Sequence, residues 1–63
     1  MERQCNAVRR LHKKHNGNAE KIISELAYGL SHGLISRKSN THGWSDPTYA
    51  RALYGNYLNK GLL

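Results

Sequence analysis

Apolar residues recur at three- and four-residue spacings in three stretches of the chain, and the spacing breaks down between them. Counted at about 100° per residue, Ala19, Ile22, Ile23, Leu26 and Leu30 fall in one arc roughly 100° wide. Glu20, Lys21, Ser24, Glu25, Ser31 and His32 take the rest of the circumference. This predicts an amphipathic helix over about 18–32, N-capped by Asn18 and stopped by a left-handed Gly33, with Leu34 folding back on the last turn. Nearer the N-terminus, Met1, Cys5, Val8, Leu11, His12 and His15 occupy roughly 20–140° of the wheel. Arg3, Arg9, Arg10, Lys13 and Lys14 occupy roughly 180–320°. That predicts a first helix over about 2–15, ended by Asn16-Gly17. In the third stretch, Asp46 as N-cap and Pro47 at the first helical position predict a helix over about 47–60. Lys60-Gly61-Leu62 repeats the stop seen at His32-Gly33-Leu34.

The expected architecture is therefore all-α: a single small three-helix domain spanning 1–63, with a basic loop over 34–45 between the second and third helices. Within that loop, Leu34-Ile35 is a short apolar anchor, Ser36 to Gly43 is polar without periodicity, and Trp44 closes it. A two-stranded ribbon turning near Asn40–Gly43 is the alternative to an irregular loop. Gly29 and Gly55 sit inside predicted helices at a cost of about 1 kcal/mol each relative to Ala; a close helix crossing would account for them. Helices one and two, joined by a short Gly-containing turn, form either an antiparallel hairpin or a helix-turn-helix.

Size bears on assembly. Sixty-three residues, 38% of them hydrophobic and none of them Phe, lie near the lower limit for a self-sustaining core, and such domains commonly add disulfides, a metal or a partner subunit. Cys5 is the single cysteine, which excludes an intrachain disulfide and suits a reducing, cytoplasmic setting. No apolar run approaches the roughly 18 residues of a membrane span, and the polar, basic start does not read as a signal peptide. Tyr49, Ala50, Leu53, Tyr54, Tyr57 and Leu58 cover about half the circumference of helix three, where one neighbour needs roughly 100°. Tyr49, Leu53, Tyr54 and Tyr57 are therefore candidates for a homodimer seam or a docking surface for another protein; the alternative is a face shared between the other two helices.

Charge narrows the partner. The formal net charge is +6, and it is concentrated at the two ends of the chain. Residues 1–17 hold five cations against Glu2, and residues 37–63 hold Arg37, Lys38, Arg51 and Lys60 against Asp46. Such a balance favours polyanions. Arg3, Arg9, Arg10, Lys13 and Lys14 on one side of helix one form a candidate phosphate track, with Arg37 and Lys38 in the loop supplying further donors. Tyr28 and Trp44 are candidate stacking platforms, although Trp44, the only tryptophan, also suits a cap on the core. Helix two has few base-reading side chains, so backbone contacts with low sequence specificity are expected.

Other chemistry finds less footing. Cys5 and His12 would stand about 10.5 Å apart along one helix, beyond hydrogen-bond reach, and no glycine-rich phosphate loop or other cofactor motif is visible. The chain reads as non-enzymatic and without a cofactor. His12 and His15, one turn apart, could share a zinc ion only if another group completed the set. A basic amphipathic helix can also lie on an anionic membrane, but here its apolar side lacks aromatics.

Ile23-Ser24-Glu25-Leu26-Ala27 followed by Gly33-Leu34-Ile35-Ser36-Arg37 faintly resembles the recognition-helix-to-wing passage of winged-helix proteins. The likeness covers about a quarter of the chain, no long first helix precedes it, and it assigns no family. A Met-initiated chain of this length belongs to a size class rich in phage and plasmid accessory proteins. The functional expectation is a small accessory or regulatory protein that touches nucleic acid through helix one and the basic loop. The alternative is a protein-interaction module working through helix three.

Overall fold

Each helix stops where a residue with positive φ turns the backbone back onto its last carbonyls. The computed structural model describes residues 1–37 and 43–63 and shows an all-α protein with α1 over Gln4–Lys14, α2 over Ala19–Ser31 and α3 over Asp46–Asn59. At the end of α1, Asn16 (φ 52°) and Gly17 (φ 78°) reverse the chain, and the Gly17 amide donates to the His12 carbonyl at 3.0 Å. At the end of α2, Gly33 (φ 70°) lets the Leu34 amide reach the Gly29 carbonyl at 2.8 Å. At the end of α3, Gly61 (φ 65°) lets the Leu62 amide reach the Tyr57 carbonyl at 3.0 Å. These are Schellman closures, and they satisfy carbonyls that the helices leave orphaned.

Starts differ more from expectation than stops. Asn18 caps α2 as predicted, its side chain accepting from the Lys21 amide. α3 begins one residue early: Ser45 is the N-cap, accepting from the Thr48 amide, and Asp46 is already helical. α1 begins two residues late. Glu2 is held in extended backbone by Ile35, donating its amide to the Leu34 carbonyl (2.8 Å) and accepting from the Ser36 amide (2.9 Å). A single parallel bridge thus replaces the first helical turn. It also occupies the segment where a wing or ribbon could have started: residues 34–37 and 43–45 pair with no strand of their own. Lys38 to His42 lie outside the described residues.

The core is contributed by all three helices and the bridge. Ala7, Val8 and Leu11 of α1 meet Ile22, Leu26 and Leu30 of α2, Ile35 of the bridge, and Tyr49, Ala50 and Tyr54 of α3. Leu26, at the middle of the central helix, is fully buried. The anchor after α2 is Ile35; Leu34, expected to fold back, is 56% exposed. Ile35 also explains Gly29. A Cβ there would lie 2.8 Å from Ile35 Cγ1 and closer still to Cδ1, so only glycine admits the side chain. Gly55 faces open space, and the helix crossing expected at the two glycines is absent from both.

Most of the broad apolar face of α3 is covered within the chain, and Leu58 at its edge is 49% exposed. Tyr49 and Tyr54 are 5% and 2% exposed, while Leu53 and Tyr57 are half-buried against the core. Their hydroxyls are satisfied by α1: Gln4 Nε2 donates to Tyr49 Oη, and Tyr54 Oη lies 2.7 Å from His12 Nδ1. Two neighbours, α1 and α2, share the arc, which is why it exceeds what one neighbour needs. The candidate seam of Tyr49, Leu53, Tyr54 and Tyr57 is in this fold an internal one. Among the described residues, no helix is long and apolar enough to cross a membrane.

Candidate nucleic-acid interface

α1 separates charge from core because its three buried residues lie on one side and its cations on the other. Ala7, Val8 and Leu11 face inward, while Arg9, Arg10, Lys13 and Lys14 are all exposed. Lys13 and Lys14 stand in the last turn, where the helix dipole favours positive charge. Arg3 is exposed at the N-cap and makes no side-chain cap.

The structure sorts these cations into two classes that spacing alone does not reveal. Of the four carboxylates in the chain, three are engaged in ion pairs. Glu2 receives Arg10 bidentately, with Nε to Oε2 at 3.0 Å and Nη2 to Oε1 at 2.9 Å. Glu25 receives Lys14 at 3.3 Å and, on its other oxygen, His15 Nε2. Asp46 receives Arg37 at 2.5 Å. The pKa directions follow. The Arg10 guanidinium holds the Glu2 carboxyl below its ordinary value, and the hydrogen bond from His15, aided by Lys14, does the same for Glu25. Burial pushes the Tyr54 phenol up.

Arg37 is fully engaged. Besides Asp46 it donates to the Trp44 carbonyl at 2.7 Å, and its guanidinium carbon lies 4.8 Å from the centre of the Tyr49 ring. Its geometry is that of a clasp joining the bridge segment to the start of α3, not of a donor held out to a ligand. Lys38 lies outside the described residues. Trp44, expected to cap the core, is instead 50% exposed and sits edge-on to Tyr49 with ring centres 6.4 Å apart.

What remains on α1 and at its N-cap without an acidic partner among the described residues is Arg9 and Lys13 on the helix and Arg3 before it. Arg9 and Lys13 are one turn apart on the outermost ridge, about 6 Å along the axis. That is close to two steps of about 3.4 Å along one strand of a nucleic acid. The ridge offers long cationic side chains with no neighbouring carboxylate, so it suits phosphate oxygens and carries no means of reading bases. Lys21, Arg51 and Lys60, which were not among the candidate phosphate contacts, are also exposed and without an acidic partner among the described residues.

The remaining candidates are dispersed. His12 is hydrogen-bonded to Tyr54 and His15 to Glu25, so the two histidines are directed to different partners. Among the described residues no group of three His, Cys, Asp or Glu side chains comes together as a metal site. Cys5 has Asn6 Oδ1 as its neighbour at 3.8 Å. A groove lined by His15, Glu20, Lys21, Ser24 and Glu25 is open to solvent rather than enclosed. No family model, curated protein or solved structure matches the chain.

Proposed function

We propose that this is a non-enzymatic accessory protein that binds the backbone of nucleic acid along the outer ridge of α1, with Arg3, Arg9 and Lys13 as the phosphate-binding residues. One observation carries the reading. Three carboxylates neutralise Arg10, Lys14 and Arg37, and none pairs with Arg9 or Lys13, which stand one turn apart on one exposed helix surface of a +6 chain. Binding to phosphates alone is non-specific and arises from counterion release. The internal placement of Tyr49 and Tyr54 argues against the docking reading of α3, because a partner would have to unpack the core to reach them.

The test is a salt titration of binding to a labelled duplex, read by fluorescence anisotropy. With about three phosphates contacted, the slope of log K against log salt should be about −2.7, whereas seven contacts would give about −6. Affinity that does not change with salt would overturn the proposal.

A further inference from the structure

We infer that the nucleic acid held by α1 is single-stranded, and that Tyr28 of α2 stacks on one of its bases. The inference rests on the backbone-binding reading and adds the class of nucleic acid to it. Tyr28 is 60% exposed, and its ring lies over His32 with centroids 4.1 Å apart and an interplanar angle of 31°. The ring is therefore supported from one side by a second aromatic and open to solvent elsewhere. It adds nothing to the core.

Its position relative to the cations follows from helix geometry. Lys21, Glu25, Tyr28 and His32 are spaced four, three and four residues apart, so they form one stripe along α2. Glu25 in that stripe meets Lys14 and His15 at the end of α1. At the other end, Glu2 is bridged to Ile35 just past α2. These two anchors run α1 antiparallel to α2, so the cationic helix runs alongside the stretch of α2 that carries Tyr28. A strand whose phosphates follow α1 would bring its bases toward that stripe, where Tyr28 offers a π-face and Lys21 a further cation. Duplex bases stack on one another and present only their edges, so a ring lying against the helix surface gains nothing from them. Unstacked bases of single-stranded DNA or RNA gain a platform, whatever their sequence. Trp44 does not compete for this role, since it belongs to the Arg37–Tyr49 cluster at the start of α3.

The experiment compares four probes by anisotropy or competition: oligo-dT, oligo-U, a duplex of equal length and inorganic polyphosphate. Single strands should bind tightest. Tyr28→Ala should weaken them about 5- to 150-fold, the range that base–aromatic stacking supports, and leave duplex and polyphosphate binding unchanged. Tyr28→Phe, which keeps the π-face, should restore single-strand affinity. Comparing oligo-dT with oligo-U then separates DNA from RNA as the source of the strand. An unchanged circular-dichroism melt for Tyr28→Ala excludes a folding effect. If all probes bind alike and Tyr28→Ala leaves each unchanged, or weakens each equally, the stacking inference fails while the backbone reading stands. If no probe binds, both fail.

Discussion

Gly29 and Gly55 look alike along the chain, each following a tyrosine inside a helix, and the structure separates them by what a methyl group would meet. At Gly29 it would run into the buried Ile35 side chain; at Gly55 it would enter open space. Gly29→Ala gains helix propensity of about 1 kcal/mol but overpacks a core contact at a cost of about 1–3 kcal/mol. It should lower stability in chemical denaturation. Gly55→Ala keeps the propensity gain without the clash and should raise stability by up to about 1 kcal/mol. In a domain this small, 1 kcal/mol corresponds to about 4–8 °C in Tm, so melting curves resolve both signs. Two substitutions with the same sign of effect would mean that Ile35 does not sit over Gly29. The site residues divide in the same way. That Arg9 and Lys13 are exposed was legible from the helical wheel, because the opposite face is apolar. That Arg10, Lys14 and Arg37 are engaged was not, because Glu2, Glu25 and Asp46 reach them only through tertiary structure.

At the scale of elements, helix existence and helix stops were legible, and helix starts were less so. The stops are chemically unambiguous, since few residues besides glycine and asparagine accept a positive φ. Ser45 and Asp46 can both cap, and the fold uses Ser45, which leaves Asp46 to hold Arg37. The start of α1 departs from the helical pattern for a nonlocal reason. Glu2 fits the helical wheel, yet its backbone bonds to Leu34 and Ser36, more than thirty residues away. The Glu2–Arg10 pair ties that extended segment to the middle of α1. Because Arg10 lowers the folded pKa of Glu2, the pair's contribution is full above the unfolded value near 4.5 and is lost as pH falls through the folded value. Arg10 is half exposed, so solvent screening limits the pair to under about 1 kcal/mol. Glu2→Gln should therefore lower Tm slightly at pH 6 and converge with the parent at pH 2–3. A difference that persists unchanged into acid would mean the ion pair is not what the substitution removes.

The whole molecule is a small core bounded by one helix that is apolar within and cationic without. α1 joins its neighbours through specific polar ties: Gln4 and His12 to tyrosines of α3, Lys14 and His15 to Glu25 of α2. These ties explain why Tyr49 and Tyr54 on the wide apolar face of α3 are buried within the chain, a point that wheel geometry could not decide. They also fix which surface of α1 remains outward. The most direct measurement compares two charge-matched variants, Arg9→Gln with Lys13→Gln and Arg10→Gln with Lys14→Gln. Each pair removes two positive charges, so a general effect of net charge would appear equally in both. Salt titrations of oligonucleotide binding should show that the first variant loses at least about tenfold in affinity at low salt and about 1.4 in slope on a single strand (about 1.8 on a duplex), with its melt unchanged. The second should keep most of the slope and lose a few degrees of Tm. Equal losses in the two variants, or full affinity in the first, would contradict the assignment of the ridge.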